Sequence, residues 1–590
     1  MRRLLALLLL VLAAPAQAET PSLPWQKWDP ALFDRAAREH RYVLLHMAAV
    51  WCHWCHVMEE VTYHDPEVQR AILDRFIPVR VDQDAEPELS YRYENWGWPA
   101  TIMFDRNGNE ILKRQGYIPP ELFKKLLAAV IADPSALPAL NIGTPVDPNA
   151  LALSSQRRAK IEAMMLAAYD REHGGFGTAQ HFIQGDTLEW ASERSRPLKR
   201  NAERDVWRKV AAQTLEGARK LIDPVWGGMF QYSDKVDWSS PHYEKLLNIQ
   251  RDGIRAYVLA YEIGHGPADL AAARDIGRWL MEFMRDPSGA FYTSQDADAG
   301  ALHGRDFYAR TDAERRAGRQ PPIDRHVYAR ENGWAIASLA TLHDVTGDQS
   351  LIDAATRAFD WVLSNRRAPN GGFGHARVAD DDTHLGDTLA IAEAAMALYR
   401  STAERRYLAL TAELGEVIVL HHRDPAGGYW VRQPEPGAKG VLAKPVKQID
   451  ENVAATRLFN LLAHTTGKSA FRADAEHGMR YLIALAEDDL VVPGALLADR
   501  DLGREPAHVT VVGAKDDPAA QALYAAARTY PTRYLRIEWL DRREGPLPAA
   551  DIDYPELPEA AAFACANGAC SVPVFAPAEV AGIVANVDDR

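Results

Sequence analysis

Tyr42-Val-Leu-Leu-His-Met47, running through Ala-Ala-Val into Trp51-Cys-His-Trp-Cys-His-Val-Met58, is the stretch on which the fold turns. Its first half is a short, nearly unbroken apolar run, the pattern of a buried strand. Its second half reads as a helix through Met58, with Cys52 at the turn between the two. A sulfur placed there meets unpaired backbone N–H groups and the positive end of the helix, which favour thiolate over thiol. Cys55 sits one helical turn on, close enough to resolve a mixed disulfide formed at Cys52. His53 and His56 flank the pair. A protonated imidazole beside it would hold the thiolate further and make the disulfide more oxidising.

Working outward, the pattern alternates between helix and strand. Ala31 to His40 reads as a helix, Ile77 to Val81 as a strand, and Trp98 to Phe104 as a strand led in by Pro99. The Asn107-Gly108 turn makes a hairpin with Ile111 to Arg114, and Glu121 to Ala132 is an amphipathic helix. Pro99 stands where thioredoxin folds place a cis-proline beside the disulfide, so residues 19–135 are read as an α/β thioredoxin fold. One departure is His46, at the position where thioredoxins usually bury an acid. Cys52-His-Trp-Cys-His56 also satisfies C-x-x-C-H, the attachment pattern of c-type haem. The strand context and Pro99 favour thiol exchange. Cys52, Cys55, His53 and His56 as a zinc or copper set is disfavoured, because neighbours on one helical turn rarely converge on one ion. No cofactor and no metal are expected.

The N-terminus reads as a secretory signal peptide, residues 1–18: Arg2 and Arg3, then an apolar run from Leu4 to Ala14, then Ala16-Gln-Ala18. The expectation is a periplasmic or secreted protein with no membrane attachment after cleavage. The chain has 590 residues, a formal charge of −14, 47% hydrophobic and 25% charged residues, which suits several globular domains and gives no electrostatic grip on nucleic acid. Its four cysteines form two local pairs, Cys52/Cys55 and Cys565/Cys570, a distribution more suited to redox chemistry than to stapling a scaffold.

From 150 to 487 the reading is helical. Glycine-aromatic marks recur about 50–60 residues apart, with one wider gap: Gly174-Gly-Phe176, Gly227-Gly-Met229, Gly289-Ala-Phe291, Gly371-Gly-Phe373 and Gly427-Gly-Tyr429. Two helical stretches fill each interval, so this region is read as an all-α (α/α)6 toroid. Residues 488–590 return to a small C-terminal α/β region, with a β-α-β unit over His508–Trp539 and the second cysteine pair. The chain is thus multidomain. Asp237, His242, Glu244, Lys245, Asp296, Asp298 and Asn332 lie near helix-terminal loops and are candidates for a toroid pocket. Paired carboxylates with a histidine suit acid–base chemistry on a sugar, and equally suit helix capping. Arg330, Glu331, Asp387, Asp450, Glu451 and Asn452 open later helices in the same way.

Cys52-His-Trp-Cys-His-Val-Met58, Gly97-Trp-Pro99, Pro241-His-Tyr-Glu-Lys-Leu246 and Gln295-Asp-Ala-Asp298 resemble the spermatogenesis-associated protein 20-like family, with a weaker match at Cys565–Pro573. The resemblance implies a thioredoxin-like domain fused to a six-hairpin helical toroid similar to those of sugar epimerases and glycosidases. The expected function is thiol–disulfide exchange with protein thiols or disulfides: Cys52 attacks, Cys55 resolves, His53 tunes and Pro99 shapes the groove. The pair Cys565/Cys570 would be a structural disulfide or an internal electron partner. The alternative is a carbohydrate-active or carbohydrate-binding toroid with a regulatory thioredoxin domain.

Overall fold

The computed structural model describes residues 23–137, 145–196, 202–434, 436–488, 490–549, 551–566 and 569–588. The expected signal peptide and Asn567-Gly568, between the second pair of cysteines, lie outside them. The chain divides into two compact units. The first comprises Met1–Ala48, Trp54–Val81 and Trp96–Leu137; the second takes Ala49–His53, Asp82–Asn95 and Pro138–Arg590.

In chain order the N-terminal elements are α1 (Leu32–Glu39), β1 (Tyr42–Ala48), α2 (His53–Val57), α3 (Pro66–Arg75), β2 (Phe76–Asp82), α4 (Pro87–Tyr93), β3 (Ala100–Phe104), β4 (Glu110–Gln115) and α5 (Pro120–Ala132). Their sheet has the order β2-β1-β3-β4. Every residue of β1 is buried, as its apolar run requires of a strand covered on both faces. β3 runs antiparallel to β1, pairing Met47 with Ala100, and antiparallel to β4. At the turn, Asp105 Oδ1 accepts from the backbone of Asn107 and Asn109 while Gly108 takes φ +79°. Leu44, Met103, Phe76, Ile72, Phe123 and Leu127 fill the core. The Trp98–Pro99 peptide is cis. Helix α2 is shorter than its sequence suggests and continues as a π-helical turn over Met58–Thr62. Helix α3 is well capped: Asp65 accepts from Glu67 N and Val68 N, with Pro66 at the first helical position.

The second unit continues with α6 (Ser155–Ala168), α7 (Gly185–Ser195), α8 (Ala202–Ala218), β5 (Tyr232–Ser233), β6 (Pro241–His242), β7 (Lys245–Leu246), α9 (Leu247–Gly264), α10 (Pro267–Phe283), β8 (Ser294–Gln295), α11 (Gly304–Tyr308), α12 (Asp312–Ala317), β9 (Ile323–Asp324) and α13 (Ala329–Thr346). Then come α14 (Gln349–Arg366), α15 (Leu385–Thr402), α16 (Arg405–His422), α17 (Ile449–Thr466), α18 (Ser469–Glu487) and α19 (Pro493–Leu502). Inner helices pack α7 on α9, α9 on α13, α13 on α15, α15 on α17, α17 on α19, and α19 back on α7, so the ring closes. Each of α8, α10, α14, α16 and α18 backs the inner helix before it. Helix α6 joins α19 through Arg158 and Asp499 at 2.5 Å. This is an (α/α)6 toroid. It ends at Leu502, not at 487: Pro493 starts a further helix, and its buried Ala495, Leu496, Leu497 and Ala498 supply the last inner wall.

The recurring glycine marks are one turn built five times. Tyr169–Phe176, Ile222–Met229, Arg285–Phe291, Arg367–Phe373 and Arg423–Tyr429 each form an antiparallel bridge across it. Inside four of the turns an Asp (170, 223, 286 or 424) accepts from the N–H two residues on. A backbone N–H one or two residues after the last glycine is then held by the next inner helix. Gln250 Oε1 accepts from Met229 N, Asn332 Oδ1 from Phe291 N, Thr388 Oγ1 from Phe373 N and Asn452 Oδ1 from Tyr429 N. Gly228 needs its φ of +76°, and a Cβ there would meet the Trp279 ring at 2.7 Å.

The C-terminal residues form β10 (Ala507–Val512), α20 (Pro518–Arg528), β11 (Leu535–Leu540), β12 (Ala561–Ala566), β13 (Ala569–Cys570) and α21 (Pro577–Asp588), with sheet order β11-β10-β12-β13. β10 and β11 are parallel, as the β-α-β pattern demands. Among the described residues, no helix is long and apolar enough to cross a membrane.

Candidate functional site

All four cysteines are disulfide-bonded. Cys565 pairs with Cys570 across β12 and β13, which leaves Cys52 and Cys55 for each other. Cys52 retains 4% exposure and Cys55 none, so of the two Cys52 is the one a partner can reach. His46, where an acid was anticipated from thioredoxins, is fully buried against the rings of Trp25 and Tyr63. Burial, then the nearby Arg80 charge, pushes it down to about 3, so at neutral pH it is an uncharged imidazole.

His53, the residue after Cys52, is tied to the toroid's own candidates within the second unit. Its Nδ1 lies 2.6 Å from Asp298 Oδ2. Gly304 N donates to the other oxygen, Asp298 Oδ1, at 2.8 Å, which fixes the carboxylate. The surrounding scaffold is a pair of two-residue ribbons. β6 pairs with β5 and stacks His242 on Tyr232, while β7 pairs with β8 and β8 with β9. These ribbons bring Glu244 and Asp296 to the ends of paired strands. His242 Nε2 bonds Asp234 Oδ2 at 2.8 Å, and its Nδ1 lies 3.8 Å from Glu244 Oε2. Glu244 and Asp296 are each 4% exposed. Burial, with the negative charges of Asp296, Asp298 and Asp234, pushes the Glu244 carboxyl up to about 8. A protonated acid beside carboxylates is a proton donor at neutral pH.

Three candidates turn away from this cluster. Lys245 is fully buried and bonds Asp223 and the Gly227 carbonyl, in an ion pair that Arg315 shares. Its neighbour Glu244 faces the other way because side chains alternate along extended backbone. Asn332 is fully buried and spends its amide on Phe291 and Tyr328 backbone atoms. Asp237 caps Ser239 N in the tight turn that buries Trp238. These three residues build the scaffold.

A second polar cluster gathers where inner helices begin. Tyr91, on α4, donates to Glu451 Oε1 at 2.7 Å and accepts from Arg330 Nη1 at 2.7 Å. Asp387 Oδ1 accepts from Arg330 N and sits 2.8 Å from His375 Nδ1. Burial disfavours the His375 cation, yet Asp387 outweighs it and the imidazole is pushed up to about 9. His375 Nε2 reaches the Asp84 carbonyl at 2.7 Å, and Asp84 Oδ2 accepts from Trp51 Nε1 at 2.8 Å. Of the residues in these contacts, sequence reasoning singled out Arg330, Asp387 and Glu451. It missed Tyr91, Asp84 and His375 here, and His303 beside Asp298, all of which sit in short loops or helices without periodic signal.

The fold and site define a protein with an N-terminal thioredoxin-like domain, a six-hairpin glycosidase-like toroid and a small C-terminal α/β region. Residues 15–131 match the family described as Thioredox_DsbH, protein of unknown function, DUF255. Spermatogenesis-associated protein 20 of Homo sapiens is 25% identical over 313 residues, 47% of this chain and 39% of that protein. The resemblance read from the motifs is thus borne out, over less than half of the length of the curated relatives. Among solved structures, cellobiose 2-epimerase from Spirochaeta thermophila DSM 6192 is 15% identical, with a TM-score of 0.43, covering 59% of this chain and 97% of that one. A thioredoxin from Thermus thermophilus is 28% identical, with a TM-score of 0.18, covering 19% of this chain and 88% of that one.

Proposed function

We propose that this is an exported thiol–disulfide oxidoreductase acting on protein thiols or disulfides, with the toroid selecting the partner. The observation that carries the reading is the Cys52–Cys55 disulfide at the turn between β1 and α2, with Cys52 the more accessible sulfur. In the reducing direction Cys52 thiolate attacks one sulfur of a partner disulfide. That bond breaks, and the other partner sulfur leaves with the electron pair and takes up a proton. Cys55 then loses its proton and attacks Cys52 Sγ, which releases the partner's second sulfur as thiolate. The protein ends oxidised and the partner reduced. His53, oriented by Asp298, is the nearest imidazole in sequence to the attacking sulfur. Export rests on the pattern of residues 1–18.

The test is to replace Cys55 with Ala in the full chain, express it with its leader, and identify adducts at Cys52 by mass spectrometry. Capture of exported proteins, abolished by adding Cys52→Ala, supports the reading. A folded variant that traps nothing overturns it.

Glu244, a buried acid kept protonated beside Asp296 and Asp298, supports a second reading in which the toroid works on or binds a carbohydrate. Turnover or binding of a glycan by the full protein, lost in Glu244→Gln, would establish it. Inactivity across a broad carbohydrate panel would remove it.

A further inference from the structure

His53 Nδ1, Asp298 Oδ2 and His303 Nδ1 lie within 4.8 Å of one another, although 245 residues separate His53 from Asp298 in the chain. The two imidazole rings stand 5.6 Å apart at an interplanar angle of 77°, neither stacked on the other. Asp298 and His303 flank a turn closed by the Ala299–Leu302 bridge, which holds them at a fixed separation. The donor set of two imidazoles and a carboxylate is the nitrogen–oxygen chemistry of borderline divalent metals.

A second, independent observation points to a cation. Glu244 is 4% exposed, and its Oε2 accepts no hydrogen bond among the described residues. It shares this neighbourhood with Asp296 and Asp298. A buried carboxyl oxygen without a partner is costly unless a donor or a cation joins it.

We propose that His53, Asp298 and His303 bind one divalent transition cation of the zinc class, with a fourth position open to water. In a tetrahedral site with metal–ligand bonds near 2.0–2.1 Å, ligand atoms stand about 3.3 Å apart. His303 Nδ1 is already 3.7 Å from Asp298 Oδ2. The His53–Asp298 pair, now at hydrogen-bond distance, opens by about 0.7 Å as the ion takes the place of the shared proton, which is released. The ion would then sit one residue from Cys52. The site stands whether or not Cys52 exchanges disulfides.

The test uses the full, oxidised protein stripped with a chelator and titrated with zinc against a chromophoric competitor. The expected result is one zinc per chain, with affinity reduced at least tenfold in His303→Ala and in Asp298→Asn, and unchanged in Cys52→Ser/Cys55→Ser. The His303 side chain is 69% exposed, so its alanine variant keeps the fold, as circular dichroism would verify. Absence of zinc binding, or an affinity that His303→Ala leaves intact, overturns the proposal. So does loss of binding in the double cysteine variant alone, which would place the ion on the thiolates.

Discussion

His53 Nδ1 lies 2.6 Å from Asp298 Oδ2, so the imidazole next to Cys52 is oriented by a carboxylate from the helical part of the sequence. On the proposed function, this contact makes Asp298 a positioning residue for chemistry at Cys52. Asp298→Ala is expected to slow mixed-disulfide formation at Cys52 by about 3- to 10-fold, the scale of a coupling of 0.5–1.5 kcal/mol. His53→Ala should have a similar effect, and the double variant should be no slower than His53→Ala alone. Stopped-flow exchange with a model disulfide in chelator measures all four proteins. Strict additivity of the two changes would show that Asp298 does not act through His53.

Glu244 carries a pH dependence of definite sign. Its folded pKa is raised to about 8 from 4.5, so between those values the folded protein holds a proton that the unfolded chain has lost. Its contribution to stability is therefore complete below 4.5 and declines as pH rises toward 8. Glu244→Gln cannot ionise. Its thermal midpoint should match the parent near pH 5 and exceed it by a few degrees near pH 8, in chelator. Equal midpoints at both values would contradict the raised pKa.

Much of this arrangement was legible in the sequence, and the exceptions share a cause. The β1 run and the Cys52 turn announce themselves through local pattern, and the glycine marks repeat because one backbone turn is built five times. Neither signal reports what a side chain meets at long range. Lys245 and Glu244 are adjacent, yet one enters a buried ion pair with Asp223 and the other joins the carboxylate cluster. Asn332 looked like a pocket residue because amides near helix starts often bind ligands, but its partner is the Phe291 backbone. His303 follows a two-residue-wide bridge with no periodicity, so nothing in its neighbours' identity marks it.

His46 gives the opposite sign of dependence from Glu244. Its folded pKa is depressed to about 3 from 6.5, so unfolding takes up a proton between those values. The stability it contributes is full above 6.5 and is lost progressively as pH falls toward 3. His46→Leu keeps an apolar side chain of similar length in the same cavity and removes the titration. The urea midpoint of the variant, relative to the parent, should rise steadily between pH 7 and pH 5. A constant difference across that range would mean that His46 has the same pKa in the folded and the unfolded chain.

Asn332 and Asn452 perform the same task in two repeats of the ring. Each holds the backbone of the residue after a glycine turn, and each also bonds a carbonyl at the start of its own helix. Truncating either side chain removes the acceptor of a buried N–H and two donations to buried carbonyls, and a buried donor without a partner costs about 1–3 kcal/mol. Asn332→Ala should therefore lower stability by roughly 2–3 kcal/mol. Asn332→Asp keeps the acceptor for Phe291 N but loses both donations, so it should recover little. If Asn332 instead served a ligand in a pocket, Asn332→Ala would leave the unfolding midpoint unchanged while abolishing binding. Hydrogen exchange at the Phe291 amide separates the two cases directly, because only loss of the clamp exposes that N–H. The corresponding loss of protection at Tyr429 in Asn452→Ala, with Phe291 still protected, would show that each repeat is held by its own amide.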